Sequence, residues 1–297
     1  MKKILSIGMA ALALNLSSSA WSLNIVPPGD RDTQLDRWSN RPEEQVVKIT
    51  TEAPLNWSKL DVKVWRQPKP APYVVLLHGS ASIHEKGRIE GWWRNADDVQ
   101  ALFYSMGFHV VQLTRRGYGD SEGTRSEVFA NKSAHSDNEY TTLLLKDAAL
   151  DVAPVLQWAS KQADFQPQAI LVGHSFGGIL ALHTADLAPS VVGVIDIAGG
   201  LGFFNQTEPS KQDPTSLAAI LANTKTKKPN LLIYAKHDTV IAYSLGEAIA
   251  AQQAKISNST LISPKTLEGR DPHAALIMGM NIEFWQDDAY RFLRSLP

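Results

Sequence analysis

A single serine, Ser175, lies between glycines in the sequence G-H-S-F-G, which runs from Gly173 to Gly177. Strand-forming residues precede this run and an apolar helical pattern follows it, so the serine should stand at the apex of a strand-to-helix turn. Its neighbours two positions away must be small, because a Cβ atom there would collide as the strand and the helix close together. The pattern predicts a nucleophilic hydroxyl held above a sheet edge, at a helix N-terminus that favours developing negative charge.

The alternative interpretation of this serine is a helix cap within a glycine-rich turn that binds phosphate. Neither of two common phosphate-binding patterns, G-x-x-x-x-G-K-[ST] and G-x-G-x-x-G, occurs at this turn. The nucleophile hypothesis is favoured, because the G-x-S-x-G pattern has the strand before it and the helix after it that such a nucleophile needs.

Further groups that a serine nucleophile needs follow other predicted strands. In a parallel sheet, functional groups gather at the carboxyl ends of the strands. Ser175, Asp238 and His273 each follow a different strand, in that chain order, and the sequence H-G-S follows an earlier one. A serine hydroxyl is a poor nucleophile until a base removes its proton, so a histidine and an acid at the same edge would supply general-base chemistry.

These motifs together resemble the α/β-hydrolase superfamily, from about residue 46 to residue 296. The set of G-H-S-F-G, H-G-S and a later Asp and His is typical of that superfamily and not of one substrate. Within it, the segment R-R-G-Y-G-D-S-E-G is similar to bacterial dienelactone-hydrolase-like and lysophospholipase-like esterases. True dienelactone hydrolases differ in having cysteine as the nucleophile. The resemblance implies an α/β-hydrolase fold and a serine hydrolase.

The resemblance also implies that His273 is the catalytic base, because the superfamily places its histidine after the last strand. Asp238 is the expected acid, which would accept the imidazole N–H and stabilise the imidazolium, although it could instead cap the helix that begins near residue 242. Asp196 is the second candidate acid but lies within an apolar strand pattern, and Asp271 is too close in sequence to His273 to reach it easily. The other histidines are expected to be structural or solvated, with His78 bracing the H-G-S loop.

The oxyanion hole of an acyl-transfer enzyme needs two backbone N–H groups aimed at the developing charge. One is expected from Phe176, directly after the nucleophile. The other is expected from Ser80, with Ala81 as the alternative. Peptidases, thioesterases, lipases and acyltransferases use the same groups, so these activities stay open beside carboxylic ester hydrolysis. A non-catalytic binding protein on the same fold is the alternative from another class.

Bulky side chains near the predicted strand ends could line a pocket for the acyl or alcohol group of a substrate. They are Trp92, Trp93 and Phe203, and packing in the core or in loops explains them equally well. The candidate lids are residues 201–229, a short insert, and residues 120–139. A modest lid favours a small or medium-sized ester, or an extended substrate in an open groove.

The elements that position these groups follow from periodicity and turn residues. Short strands at residues 46–51 and 60–65 predict an antiparallel hairpin. Apolar runs predict strands buried in a sheet at residues 73–77, 108–113, 169–172, 191–197, 230–234 and 259–262. Helical spacing predicts helices at residues 91–106, 140–162, 176–187, 242–255 and 282–296. The alternation predicts an α/β fold with a mostly parallel central sheet, an antiparallel N-terminal hairpin, helices on both faces and a small lid at most.

Two local features carry predictions of their own. Residues 23–42 are rich in Pro, Asp, Arg and Asn, which is typical of an extended arm. Pro154 lies within the helical pattern at residues 140–162 and should kink that helix or mark its restart, because proline lacks an N–H and clashes with the preceding turn.

Composition limits the chemistry and the partners. The chain has 297 residues, with 29 Lys and Arg against 30 Asp and Glu, and the net charge of −1 favours no nucleic-acid partner. It contains no cysteine, which excludes disulfides, thiolate nucleophiles and cysteine-based metal sites. No H-E-x-x-H pattern is present, so neither a metal nor a cofactor is expected. The expected partner is a small-molecule ester-like substrate, as the α/β-hydrolase resemblance implies.

The N-terminal residues follow the order of a secretory signal. Lys2 and Lys3 precede an apolar run and small residues follow it, with cleavage expected after Ala20 or Ser22. The run is shorter than the roughly 20 apolar residues that span a bilayer, which disfavours a membrane anchor. We therefore expect a signal peptide at residues 1–22 and one domain at residues 23–297, in the periplasm or secreted.

Overall fold

The computed structural model describes residues 23–51, 57–80, 97–201, 214–265 and 271–297, and its centre is an eight-stranded sheet. The strands, in chain order, are β1 (Gln45–Thr50), β2 (Lys59–Trp65), β3 (Ala71–Leu77), β4 (His109–Thr114), β5 (Phe165–His174), β6 (Val191–Ile197), β7 (Asn230–Ile233) and β8 (Ser259–Ile262). Their order across the sheet is β1-β2-β4-β3-β5-β6-β7-β8. The β1–β2 and β2–β4 pairings are antiparallel, and the remaining pairings of this sheet are parallel. The predicted mostly parallel sheet with an antiparallel N-terminal hairpin is confirmed.

Helices alternate with the strands and lie on both sides of the sheet. They are α1 (Arg31–Ser39), α2 (Asp97–Ser105), α3 (Ser126–Phe129), α4 (Asp137–Ala159), α5 (Phe176–Thr184), α6 (Pro214–Asn223), α7 (Tyr243–Gln253), α8 (Pro272–Ala275) and α9 (Gln286–Arg294). Short 3₁₀ turns cover Lys132–Ala134, Ala185–Leu187 and Gly279–Phe284. The α/β class predicted from the alternation is therefore confirmed.

Side chains of the central strands alternate between two hydrophobic cores, one on each face of the sheet. In β3, Tyr73, Val75 and Leu77 belong to one core, and Val74 and Leu76 belong to the other. Helices α4, α5 and α7 contribute to the first core, and helices α1, α2 and α9 to the second. Because both faces are covered, this strand is a continuous apolar run and not an alternating one.

The prediction of an extended arm at residues 23–42 is wrong for the part that forms α1. Asp30 caps this helix by accepting a hydrogen bond from Thr33 N at 2.8 Å. Trp38 is 5% exposed, and its ring centroid lies 5.2 Å from that of Trp65 in β2. Local periodicity does not reveal the helix, because its apolar residues are only Leu35 and Trp38, and the burial of Trp38 depends on a strand distant in sequence.

Helix α4 runs through Pro154 without a restart. It begins at a capping box, in which Ser136 Oγ accepts from Glu139 N while the Glu139 carboxylate accepts from Ser136 N at 3.0 Å. Val152 and Val155, on either side of the proline, are fully buried in the first core. Packing of this face offsets the cost of an interior proline, which is about 3 kcal/mol.

The two candidate lids are built differently. In the described part of residues 201–229, α6 packs against α4, and Asn223 Nδ2 donates to Thr142 Oγ1 at 3.1 Å. Residues 120–139 hold the short helix α3 and a 3₁₀ turn before α4 begins. Both segments carry structure of their own, and α3 reaches the candidate site described below.

The predicted signal peptide at residues 1–22 lies outside the described residues, so export stays a prediction from the sequence. Within the ranges that the structure describes, no helix has both the length and the apolar character that crossing a membrane would require.

Candidate active site

The turn between β5 and α5, residues 173–177, carries Ser175 at its apex and is called the elbow below. Ser175 has φ 57° and ψ −126°, a conformation whose strain is of order 1–3 kcal/mol for a residue with a side chain. Its N–H donates to Ile197 O at 3.0 Å. Its carbonyl accepts from Gly178 N at 2.9 Å and from Gly200 N at 3.1 Å. The end of β6 and the start of α5 therefore hold the strained residue in place.

The glycines of the elbow have the steric role predicted for them. A Cβ atom on Gly173 would overlap the carbonyl group of Gly177, and one on Gly177 would overlap the carbonyl group of Leu77 in β3. A Cβ atom on Gly178 would overlap the carboxyl group of Asp196. At Gly173 and Gly177 neighbouring backbone leaves no room for a side chain, and at Gly178 the Asp196 side chain leaves none.

Asp238, which follows β7, and His273, in α8, form a buried pair. His273 Nδ1 donates to Asp238 Oδ2 at 2.8 Å, and the two side chains are 5% and 1% exposed. Asp238 Oδ1 accepts from the N–H groups of Val240 and Ile241, each at 2.8 Å. The bond to Asp238 keeps the proton of a neutral imidazole on Nδ1, which leaves Nε2 able to accept a hydroxyl proton.

Asp238 also shapes its own turn, but it is not the cap of α7 considered as its alternative role. The cap residue of α7 is Ala242, which makes no side-chain capping bond. The two N–H groups that Asp238 Oδ1 accepts lie in the turn before that helix. These bonds fix the orientation of the carboxylate, so its other oxygen is aimed at His273.

His174, the residue before Ser175, connects the elbow to His273 of the His273–Asp238 pair. Its Nε2 donates to the backbone carbonyl of His273 at 2.8 Å, and the two ring centroids lie 4.7 Å apart. Burial lowers the pKa of His174 to about 3, so its ring is neutral at physiological pH. Sequence analysis placed this residue among the structural histidines, and its position beside the serine is the signal that could have pointed to this contact.

The two other candidate acids have different partners. Asp271 Oδ1 accepts from the backbone N–H of His273 at 3.1 Å and caps α8. Asp196 Oδ2 is hydrogen-bonded to the hydroxyl group of Tyr234 at 2.8 Å. Of these three aspartates, Asp238 is the one whose carboxylate meets the imidazole.

Asp196 is fully buried behind the elbow, and its contacts indicate a protonated carboxyl group. The Tyr234 hydroxyl oxygen lies 2.8 Å from Asp196 Oδ2 and 2.8 Å from the carbonyl oxygen of Gly199. A hydroxyl group has one hydrogen, so it can donate fully to only one of these oxygens. Donation from a protonated Asp196 to Tyr234, and from Tyr234 to Gly199, satisfies both contacts. Burial raises the pKa of Asp196 to about 7, in agreement with this arrangement.

We expect the stability of Asp196→Asn to fall less than that of the wild type as the pH rises. Between the ordinary aspartate pKa of 3.8 and the folded value of about 7, the folded state binds more protons at Asp196 than the unfolded state does, so stability falls as pH rises. The amide of the variant does not titrate and can still donate to Tyr234. Melting temperatures of both proteins from about pH 5 to about pH 8 test this expectation. Parallel curves for the two proteins would contradict it.

The H-G-S loop packs directly against the elbow. A Cβ atom on Gly79 would lie 2.9 Å from Ser175 Cβ, so the backbone of this loop touches the nucleophile candidate. Ser80 follows Gly79, and Phe176 follows Ser175 as the first residue of α5. The two residues predicted to supply backbone donors are thus both close to Ser175, whereas Ala81 lies outside the described residues.

His78 braces this loop through both of its ring nitrogens. Nδ1 donates to Gly79 O at 2.7 Å, and Nε2 accepts from Arg115 N at 3.0 Å. Burial lowers the pKa of His78 to about 3, and a neutral ring with its hydrogen on Nδ1 fits both contacts. Arg115 belongs to the R-R-G-Y-G segment, which the sequence analysis used only for its resemblance.

The residues predicted to bind substrate cannot be placed in the site. Trp92, Trp93 and Phe203 lie outside the described residues, so their place in a pocket stays a prediction. Among the residues that the structure does describe, no group of three or more His, Asp or Glu side chains is arranged to hold a metal ion.

The sequence matches the profile of the alpha/beta hydrolase family over residues 74–226. Protein phosphatase methylesterase 1 of Bos taurus is 28% identical over 189 residues, which cover 62% of this chain and 42% of that protein. Phospholipase YtpA of Bacillus subtilis is 26% identical over 133 residues, which cover 44% and 41%. The chain thus spans less than half the length of these curated relatives.

Solved structures share the fold over most of their length. An esterase of Pyrococcus furiosus superposes with a TM-score of 0.64 at 17% identity, over 93% of this chain and 98% of that one. A dienelactone hydrolase of Anabaena variabilis superposes with a TM-score of 0.53 at 18% identity, over 84% and 99%. At these identities the likeness concerns the fold.

Proposed function

Because the chain belongs to the alpha/beta hydrolase family, we propose that it is a serine hydrolase that cleaves carboxylic esters through an acyl-enzyme intermediate. The observation that carries the proposal is the buried hydrogen bond of 2.8 Å between His273 and Asp238, and His273 in turn contacts His174, the residue before the strained Ser175. A histidine whose Nδ1–H is bound to a carboxylate can act as a general base through Nε2. The geometry of the elbow supports Ser175 as the nucleophile whose hydroxyl proton His273 Nε2 would take.

Ser175 is the nucleophile in this mechanism and His273 is the base. The bond from Ser175 Oγ to the ester carbonyl carbon forms while His273 Nε2 takes the hydroxyl proton, and Asp238 stabilises the imidazolium. The tetrahedral intermediate then breaks its bond to the alcohol oxygen, which leaves with the proton from His273. Water attacks the acyl-enzyme by the same route, and this step releases the acid and restores Ser175.

The oxyanion of both tetrahedral intermediates would be bound by the N–H groups of Ser80 and Phe176. These residues follow Gly79, which touches Ser175, and Ser175 itself. Donors that are already in place need no reorganisation during the reaction, and one such donor is worth about 10²–10³ in rate.

Ester cleavage is favoured over the other acyl transfers by the proteins that this chain is similar to, a methylesterase and an esterase among them. Peptidase, thioesterase and acyltransferase activities use the same groups and are the alternatives to be separated by experiment. A non-catalytic binding protein is less well supported, because the chain retains a serine, a histidine and an aspartate in suitable positions. With the export signal predicted at residues 1–22, we place the proposed reaction in the periplasm or outside the cell.

The purified protein is expected to react with a fluorophosphonate probe at Ser175 and to hydrolyse short p-nitrophenyl esters. Mass spectrometry of peptides locates the modified residue, and heat-denatured protein is the control for non-specific labelling. A panel of esters, thioesters and anilides with the same acyl groups should rank the esters first by kcat/KM. Labelling at another residue, or a preference for the anilides, would contradict the proposal.

A further inference from the structure

The Gly79–Ser80 peptide of the H-G-S loop is held by its carbonyl group. Gly79 O accepts from His78 Nδ1 at 2.7 Å and from Arg115 Nη2 at 3.1 Å. In a trans peptide the N–H points away from the preceding carbonyl, so whatever holds Gly79 O also sets the direction of the Ser80 N–H. Arg115 therefore acts on one of the two proposed oxyanion donors.

The side chain of Ser80 is held by a second group, the Glu127 carboxylate in α3. Glu127 Oε1 accepts from Ser80 Oγ at 2.5 Å, from Tyr118 Oη at 2.5 Å and from Arg115 Nη2 at 3.0 Å. Burial acts to raise the pKa of Glu127, but the Arg115 charge and these donors outweigh it and hold the pKa at about 2. The carboxylate is therefore charged, and its hydrogen bonds are of the stronger, charge-assisted kind.

The guanidinium of Arg115 also packs against the residue that carries the other proposed donor. Its Cζ lies 4.4 Å from the centre of the Phe176 ring and 4.6 Å from the centre of the Tyr118 ring. The side chain is 1% exposed, so a full positive charge is buried at this place. Burying a charge is costly unless it is paired, and here the partners are Glu127 and the carbonyl of Gly79.

We propose that Arg115 and Glu127 are positioning residues for the oxyanion hole, which hold the Ser80 N–H and Phe176 in register beside Ser175. The inference rests on the proposed function, because it assigns a task within the hydrolysis of an ester. Neither side chain needs to touch the substrate. Arg115 acts through the Gly79 carbonyl and the Phe176 ring, and Glu127 acts through the Ser80 hydroxyl and through Arg115.

The neighbouring arginine supplies a matched control. Arg116 is equally buried, and its guanidinium pairs with Asp147 at 2.8 Å and with Asp151, both in α4. Its contacts connect the end of β4 to α4 and do not involve the H-G-S loop. A purely structural role for buried arginines would make Arg115→Lys and Arg116→Lys alike in effect.

The test compares Arg115→Lys, Glu127→Gln and Arg116→Lys by their kcat and KM for a p-nitrophenyl ester. The kcat is expressed per active site, as counted by the burst of product or by stoichiometric fluorophosphonate labelling, so unfolded protein does not enter it. Lysine keeps the charge of Arg115, but its ammonium is a compact point charge and cannot reproduce the planar guanidinium, whose Nη2 bonds both Gly79 and Glu127 while the plane packs against the Phe176 ring. We expect kcat to fall by about 10²-fold in Arg115→Lys, since small misplacements of catalytic groups cost that much.

The expected pattern separates positioning from folding. In Arg115→Lys and Glu127→Gln, KM should stay within about threefold, and inhibition by a trifluoromethyl ketone, which forms a tetrahedral oxyanion on the serine, should weaken in proportion to kcat. In Arg116→Lys, kcat per active site should stay within about threefold even if the melting temperature falls. Glu127→Gln keeps the shape of the side chain and serves if Arg115→Lys does not fold.

Two outcomes would overturn the inference in distinguishable ways. In the first outcome, the wild type hydrolyses esters, but Arg115→Lys and Glu127→Gln both keep the wild-type kcat per active site and the wild-type inhibition by the ketone. This outcome would overturn the positioning role alone. Failure of the wild type to hydrolyse esters or to be labelled at Ser175 would overturn the proposed function and this role with it.

Discussion

Replacement of Ser175 by alanine is expected to abolish ester hydrolysis, with a loss in kcat of about 10⁶-fold, the size seen when the nucleophile of a serine hydrolase is removed. Alanine lacks the Oγ atom that forms the acyl-enzyme, and no neighbouring group in the mechanism replaces it. The variant should fold, because alanine adopts the backbone of Ser175, φ 57°, about as readily as serine does. Initial rates with p-nitrophenyl esters measure the loss, and circular dichroism with thermal melting verifies the fold.

Ser160→Ala is the matched control for this experiment. Ser160 is exposed at the end of α4, and its hydroxyl donates to Gln157 O at 2.9 Å within the same helix. Such surface changes usually alter stability by no more than about 0.5 kcal/mol, so activity and probe labelling should stay at wild-type levels. Hydrolysis by Ser175→Ala at a rate near that of the control would refute the assignment of the nucleophile.

Asp238→Asn is expected to lower kcat by about 10⁴-fold, with the protein still folded, as for the loss of the acid in a serine triad. The reason lies in the two N–H groups of Val240 and Ile241, which bind Asp238 Oδ1 at 2.8 Å. In the variant these groups retain the amide oxygen, which turns the amide NH₂ towards His273 Nδ1. Nδ1 must then accept a hydrogen bond, the ring proton moves to Nε2, and His273 can no longer take the proton of Ser175.

Asp271→Asn provides the comparison for that variant. Asp271 bonds the backbone N–H of His273 and caps α8, and asparagine is about as good a helix cap as aspartate. Steady-state kinetics should therefore show a loss of less than about tenfold for Asp271→Asn against about 10⁴-fold for Asp238→Asn. Equal losses in the two variants would show that general disturbance of the His273 region, and not the carboxylate on Nδ1, controls the rate.

The strands of the parallel part of the sheet were predictable because their signal is local. β6 spans Val191–Ile197 and β8 spans Ser259–Ile262, as the apolar and β-branched runs predict. Helix α1 was not predictable in this way, because its buried aromatic side chain, Trp38, finds its partners only in the folded chain. Helical spacing predicted α4, but not its continuity through Pro154, which the packing of its buried face sustains.

The candidate acids of the site show the same difference between what the sequence indicates and what the fold adds. From the sequence, Asp238 follows a strand and is the expected acid, whereas Asp196 lies within an apolar strand pattern and is the second candidate. Burial separates them: Asp196 lies inside the sheet against Tyr234, whereas Asp238 stands past the end of β7 and reaches His273 Nδ1. Both aspartates come after Ser175 and before His273 in the chain, so chain order does not distinguish them; the sequence favours Asp238 by its place past a strand, and the structure adds its contact with His273.

By itself, the sequence determined the nucleophile candidate and the fold around it. G-H-S-F-G after a buried strand leaves one local solution, since a Cβ atom at Gly173 or Gly177 would overlap backbone. Only the tertiary structure shows the hydrogen bond between Asp238 and the His273 imidazole, the contact of His174 with His273 and the buried pair of Arg115 with Glu127 beside the H-G-S loop. These depend on hydrogen bonds between residues far apart in the chain, whose partners are set by the packing of different strands and helices and not by any local pattern of residues.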